Sequence, residues 1–216
     1  MVMAKVVKNK RLLEGFDHKL RAVLLFGPPG SGKGTQGKFL SSAGNHFHLS
    51  SGDIFRGLAP ESAAGKLYYS YASKGHLLPD QVTIQIWHHY VDGLIATNRY
   101  LPHQQLLLLD GIPRTVKQAE MVDKYLNILG IIVLDTDNFD GLTQRMKRRA
   151  MIERRMDDFD EKVLKTRMQV YQKETVKLLK HYPPKLISRF DADQRPLDVL
   201  RDILIHLSDL LSHTEE

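Results

Sequence analysis

The sequence predicts an α/β fold with a central parallel sheet of about five strands and helices on both faces. Three observations point there. Short runs that are apolar throughout, such as Ala22–Phe26, Leu106–Leu109 and Ile131–Leu134, read as strands buried on both sides. Longer stretches of helical period separate them, the alternation of a parallel sheet joined by crossover helices. The first run stops at Gly27-Pro28-Pro29-Gly30 and the other two at Asp110 and Asp135, so polar chemistry gathers where strands end.

Taken in order, Ala22–Phe26 is a strand that breaks into a glycine-rich loop, and Lys33–Ala43 is the helix opening from that loop. Phe47–Leu49 is a second, short strand. Ser50–Pro79 is polar and helical without a strong strand, and reads as an insertion on the ligand side; Gly75 within it serves as a hinge or closes a helix. Gln81–Thr97 has helical period, Leu106–Leu109 is a strand, and Val116–Leu129 is expected as one helix. Ile131–Leu134 follows as a strand and Asp140–Ala150 as a helix. The arginine-dense segment from Arg145 to Asp158 reads as a second ligand-side insertion. Asp160–His181 is a long helix, Leu186–Phe190 a further strand and Pro196–Leu211 the closing helix.

Composition narrows the class. The 216 residues, 42% hydrophobic and 26% charged, suit one folded domain with a real core; residues 1–21 read as an N-terminal extension and 22–216 as a single domain. There is no cysteine, hence no disulfide framework, thiolate metal site or cysteine nucleophile, and a reducing compartment is compatible. Apolar runs are far short of the roughly 20 residues that cross a bilayer. Lys5, Lys8, Lys10 and Arg11 come without the apolar core of a secretory signal, so a cytoplasmic protein is expected. The net charge of +6 favours anionic partners. His46 and His48, and His88 and His89, lack nearby carboxylates and read as structural or exposed.

The loop Gly27-Pro28-Pro29-Gly30-Ser31-Gly32-Lys33-Gly34-Thr35 follows a strand, opens a helix and satisfies the G-x-x-x-x-G-K pattern of a phosphate-binding loop. Its glycines let successive N–H groups turn towards one anion while the helix N-terminus adds positive potential. Lys33 is placed to reach the β- and γ-phosphates. The hydroxyl that usually follows the lysine is displaced by one, to Thr35, a candidate for phosphate or the Mg²⁺ shell. Such a loop leaves GTPase, ATPase, kinase and translocase open. Asp110, at a strand's carboxyl end, reads as the acid that organises Mg²⁺ through water, the competing reading being a cap on the next helix. Arg114, fixed by Pro113, can hold a phosphate bidentately, and Arg145 and Arg149, four apart, share one helical face.

GPPGSGKGTQ at 27–36, LSSGDIFR at 49–56, DGIPRTVKQAE at 110–120 and RMDD at 155–158 together resemble the adenylate kinase family of nucleoside monophosphate kinases, a likeness running from about Ala22 to Leu211. The resemblance implies a P-loop three-layer fold with a helical monophosphate-binding insertion at about 50–79 and a short lid at about 149–158. It implies that Gly30, Ser31, Gly32, Lys33, Gly34, Thr35, Arg145 and Arg149 bind ATP. Ser51, Arg56, Leu78, Gly111, Arg114 and Gln118 would bind AMP, and Lys33, Arg114, Arg149, Arg155 and Arg167 would serve catalysis. Asp157 and Asp158 would hold the lid in register. Gln118 falls where the family reads the adenine edge and where pyrimidine monophosphate kinases usually differ, while Ser51 keeps the hydroxyl but not the methyl of the usual threonine.

The likeness also has departures. Eight residues between Arg149 and Asp158 leave no room for a zinc-binding hairpin, so no structural zinc is expected. Arg154 replaces the glycine usually preceding the lid arginine, and Asp158 to Arg167 is one residue longer than the family pattern. Met151 and Ile152 stand where polar lid residues are common, and Arg148 and Arg154 read as a solvated basic face. The expected reaction is ATP + AMP ⇌ 2 ADP, with Mg²⁺ the one cofactor and no general base, since the acceptor is already anionic. A monomer with no nucleic-acid or membrane partner is expected. The alternatives are a UMP/CMP kinase and a non-catalytic nucleotide- or nucleic-acid-binding protein, the last disfavoured because no aromatic side chains interleave the arginines.

Overall fold

A computed structural model of the chain describes residues 16–153 and 160–212. Five parallel strands form one sheet: β1 (Leu20–Phe26), β2 (Phe47–Ser50), β3 (Leu107–Asp110), β4 (Leu126–Asp135) and β5 (Ile187–Asp191). Their spatial order is β2-β3-β1-β4-β5. The five stretches read as strands in the sequence fall in these five strands. Because β1 lies between β3 and β4, the chain leaves its carboxyl end at the point where strand order reverses, the position at which open α/β sheets bind ligands.

Alternation along the strands builds two cores. Ala22, Leu24 and Phe26 of β1, Leu107 and Leu109 of β3, and Ile131 and Val133 of β4 face one side, where Trp87, Tyr100 and Tyr125 join them. Val23, Leu25, Leu108, Ile132 and Leu134 face the other, against Leu40 and Val199, Ile203 and Leu207. With both faces covered, Ala22–Phe26, Leu107–Leu109 and Ile131–Leu134 are apolar throughout, which is why they read as unbroken runs rather than as alternation.

The helices are α1 (Lys33–Gly44), α2 (Ser51–Arg56), α3 (Ala63–Ala72), α4 (Asp80–Ala96), α5 (Val116–Val122), α6 (Phe139–Glu153), α7 (Glu161–Val170), the short α8 (Val176–Leu178) and α9 (Pro196–Ser212). α2 and α3 make the stretch between β2 and α4 helical, as its composition suggests. Two expectations change. The helix over Val116–Leu129 ends at Val122, because Leu126, Asn127 and Ile128 pair with Leu20, Arg21 and Ala22 and lengthen β4 to ten residues. The helix over Asp160–His181 is interrupted by a π-type turn at Tyr171–Thr175 and a 3₁₀ turn at Leu179–His181.

Leu20 and Arg21, within the stretch read as an extension, are the first two positions of β1. Ahead of them Phe16 stacks on His88 and meets Trp87 and Tyr125 edge-on. Gly75 (φ +72°) sits in the turn that closes α3, and a Cβ there would come within 2.8 Å of the Val163 carbonyl. Its left-handed backbone lets the insertion lie against α7.

Candidate active site

The carboxyl ends of β1, β2, β3 and β5 surround a cleft of about 510 Å³, with a smaller pocket of about 80 Å³ beside it towards α3 and α4. The first is of ordinary size for a small-molecule site.

The cleft floor is the loop after β1. Gly30 (φ +85°) and Gly32 (φ +99°) adopt left-handed backbone, and a Cβ on Gly30 would press on the Leu142 carbonyl at 2.8 Å, so the loop's path needs glycine there. α1 begins at Lys33 with no side chain capping its N-terminus. Its first N–H groups therefore stay available to an anion at the helix's positive end. Ser31 Oγ is buried with no partner among the described residues, a further donor in the same loop.

Lys33 Nζ donates to the carbonyls of Gly27 at 2.8 Å and Pro28 at 3.0 Å. Burial lowers its pKa from 10.5 to about 8; Asp110 opposes the shift, and Arg114, Arg149 and Arg167 add to it. Arg114 is likewise lowered, first by burial and then by Arg167, with Asp110 again opposing. Lys33, Arg114, Arg149 and Arg167 thus act on one another across the cleft, a gathering of positive charge that suits a polyanion.

Arg114 is fixed at four points. Its Nε donates to the Gly111 carbonyl at 2.8 Å and its Nη2 to Ser51 Oγ at 3.3 Å. Its backbone N–H donates to Gln118 Oε1 at 2.8 Å, and its carbonyl accepts from Thr175 Oγ1 at 3.2 Å. Gly111 (φ +81°) makes this closeness feasible, since a Cβ there would collide with Ser51 Oγ.

Asp110 is buried, and its Oδ2 is 3.8 Å from where a Cβ on Gly34 would stand, so the carboxylate faces the start of α1. It does not cap the next helix: Thr115 does, accepting from the Gln118 N–H. Among the described residues no three His, Cys, Asp or Glu side chains converge on a cation site. One buried carboxylate and the exposed Thr35 on the cleft wall fit Mg²⁺, which keeps several waters and takes further oxygens from substrate phosphates.

A family model described as adenylate kinase matches residues 25–187. The chain belongs to the adenylate kinase family. An adenylate kinase of Flavobacterium psychrophilum is 36% identical, over 88% of this chain and 98% of its own length. That of Corynebacterium urealyticum is 33% identical over 83% and 94%, and that of a Cyanothece species 36% over 88% and 95%.

Set against the adenylate kinase pattern, the structure brings most of the expected residues to this cleft. Gly30, Ser31, Gly32, Lys33, Gly34 and Thr35 line it with Asp110, Gly111, Arg114, Arg145, Arg149 and Arg167. Arg56 lines both the cleft and the side pocket and is paired with Asp53 at 2.7 Å. Leu78 and Gln118 line the side pocket, and Ser51 reaches the site through Arg114. Arg155, with Arg154, Asp157 and Asp158, lies outside the described residues.

Arg145 is placed differently from the polyphosphate contact its spacing suggests. Its fork is bound to the Ala192 carbonyl at 3.0 Å and to Asp193 at 3.1 Å, beside Gln194 and Pro196 at the far end of the cleft. Asp80, Thr115, Tyr171 and Thr175 were not legible as site residues. One signal was there: Thr115-Val-Lys-Gln118 is a capping-box spacing, and it explains why Gln118 is turned back towards Arg114.

Proposed function

We propose that the protein catalyses ATP + AMP ⇌ 2 ADP by in-line transfer of the γ-phosphoryl group. The observation that carries this reading is the convergence of Lys33, Arg114 and Arg167 on one cleft beside the phosphate loop, with Arg114 and Arg167 also lining the side pocket. Two polyanions meeting at a shared phosphoryl group are the ligands such a site suits. On this reading the loop from Gly30 to Thr35, with Arg145 and Arg149, holds ATP, and Ser51, Arg56, Leu78, Gly111, Arg114 and Gln118 hold AMP.

Chemistry then rests on placement and charge. The acceptor phosphate carries its own negative oxygen, so no side chain has to remove a proton. Lys33 exchanges its bonds to Gly27 and Pro28 for phosphate oxygens, and Arg114, already rigid, grips the acceptor phosphate without further ordering. Asp110 and Thr35 would hold Mg²⁺, which when bound neutralises charge on the donor phosphates. The insertion at about 50–79 and a lid at about 149–158, including Arg155, would close over the substrates and keep water from the γ-phosphoryl group. We also propose a monomer working in the cytoplasm without structural zinc, where free ATP and AMP supply both substrates; among the described residues no helix is long and apolar enough to cross a membrane.

The test is Mg²⁺-dependent ADP formation from ATP with AMP, CMP, UMP or GMP offered in turn, beside Lys33→Ala. Rapid turnover with AMP, reduced about 10²–10³-fold in Lys33→Ala, supports the reading. Faster turnover with CMP or UMP would make the protein a pyrimidine monophosphate kinase instead.

A further inference from the structure

Gln118 is 1% exposed, and both ends of its amide are engaged. Its Nε2 donates to Asp80 Oδ1 at 2.9 Å, and its Oε1 accepts from the Arg114 N–H at 2.8 Å. Asp80 comes from another element, the first turn of α4, and the same Oδ1 also accepts from Thr115 Oγ1 at 2.9 Å. The two ends of an amide are almost identical in shape. An ionised carboxylate can only accept, however, and a backbone N–H can only donate. Asp80 and Arg114 therefore admit one orientation of Gln118 and exclude the other.

This lock has a chemical consequence for the side pocket that Gln118 lines with Leu78, Tyr68 and Thr83. After its internal bonds are made, the amide retains one N–H and one lone pair, a donor beside an acceptor in fixed order. Adenine offers an acceptor (N1) beside an amino donor, whereas hypoxanthine and guanine offer an N–H donor beside a keto oxygen. An amide free to turn over could serve either edge. A locked one serves a single edge, provided the nucleotide cannot turn over itself, and a phosphate gripped by Arg114 and Arg56 prevents that.

We propose that Asp80 is a specificity-setting positioning residue: by fixing the Gln118 amide, it makes the acceptor site choose amino over keto bases. This rests on the reading of the pocket as the AMP site. Asp80 itself need not touch the nucleotide. Cytosine shares adenine's donor and acceptor order, so pocket size has to separate AMP from CMP, while the lock separates AMP from IMP and GMP.

The experiment compares kcat and KM for AMP and IMP in wild type, Asp80→Ala, Asp80→Ser and Asp80→Asn, with ATP affinity and thermal unfolding measured on each. Wild type prefers AMP. In Asp80→Ala the ratio of kcat/KM for AMP over IMP falls roughly tenfold, the worth of one hydrogen bond to a charged group. The loss is carried by the KM for AMP, with kcat within about threefold and ATP affinity unchanged. Asp80→Ser keeps a polar group in the first turn of α4 but is too short to reach Gln118, and gives the same loss should the alanine protein not fold. Asp80→Asn, whose oxygen can still accept from Gln118, holds the ratio within about threefold. An unchanged ratio in a folded alanine or serine variant, or an equal loss on AMP and IMP, overturns the inference while the AMP reading stands. A wild-type protein that phosphorylates no monophosphate overturns that reading, and the inference with it.

Discussion

Thr175 Oγ1 donates to the backbone carbonyl of Arg114 across 3.2 Å, tying the helical segment that carries Arg167 to the loop that carries Arg114. Thr175 is buried and ends the π-type turn that begins at Tyr171, itself on the cleft wall. Irregular turns of this kind inside helices are frequent at functional sites, because they re-aim side chains that regular geometry would send elsewhere.

Thr175→Val keeps the shape of the side chain and removes its hydroxyl, leaving the Arg114 carbonyl without this donor. The KM for AMP is expected to rise about three- to tenfold with little change in the KM for ATP, and Thr175→Ser to restore it. Initial rates at varied AMP and saturating ATP measure this. An equal rise for both substrates would mean that the hydroxyl serves general stability alone.

The lowered pKa of Lys33 predicts a proton linkage. A bound polyphosphate favours the charged amine, so ATP binding takes up part of a proton near and above pH 8, and affinity weakens as pH rises through that value. In the free protein the sign is reversed for stability. Between about pH 8 and 10.5 the unfolded chain holds a proton at this lysine that the folded chain has lost, so this group makes stability rise with pH. Calorimetry of ATP binding at pH 8 in buffers of different ionisation enthalpy reads the uptake directly, and Lys33→Met abolishes it.

A Cβ on Gly37 would collide with the half-buried ring of His48, so the close packing of α1 on β2 at this point needs glycine or a shifted ring. Gly37→Ala is expected to destabilise the fold by about 1–3 kcal/mol, the usual range for overpacking. His48→Ser removes the ring, and the double variant should recover much of that loss, a non-additivity that denaturant unfolding of the four proteins would measure. Additive effects would show that the ring moves aside without cost.

Arg145 and Asp193 make an ion pair at 3.1 Å, while Thr136 Oγ1 donates to the same carboxylate. Arg145→Ala should raise the KM for ATP roughly tenfold and leave that for AMP unchanged, because the pair lies at the end of the cleft remote from Arg114. Asp193→Ala removes the ion pair but leaves the guanidinium on the Ala192 carbonyl, and should cause a smaller rise. Substrate-varied initial rates separate the two. A rise in the AMP KM as large as that for ATP would place Arg145 nearer the transferred phosphoryl group.

Much of this was legible because the signals are local. A phosphate-binding loop is a run of contiguous residues whose glycines and lysine act on an anion through their own backbone, so Gly30 to Thr35 could be assigned to one site without knowing the fold. The three central strands announced themselves because both faces are buried and Ala22–Phe26, Leu107–Leu109 and Ile131–Leu134 are apolar throughout. Val116–Leu129 failed for the complementary reason. Leu126 to Ile128 have no local mark of a strand, and they join one by pairing with Leu20–Ala22, a partner about a hundred residues distant.

The sequence by itself determined the sheet, its alternation with helices, the anion-binding loop and, through four motifs in order, the family. Only the tertiary structure decided how the side chains are shared among these parts. Arg114 is held by Ser51 and Thr175 from two distant segments as well as by Gly111 and Gln118 beside it, and Gln118 is oriented by Asp80 from a third. The physical reason is reach: backbone propensity and hydrophobic period act over a few neighbours, whereas a hydrogen bond depends on a distance of about 3 Å that chain separation does not fix.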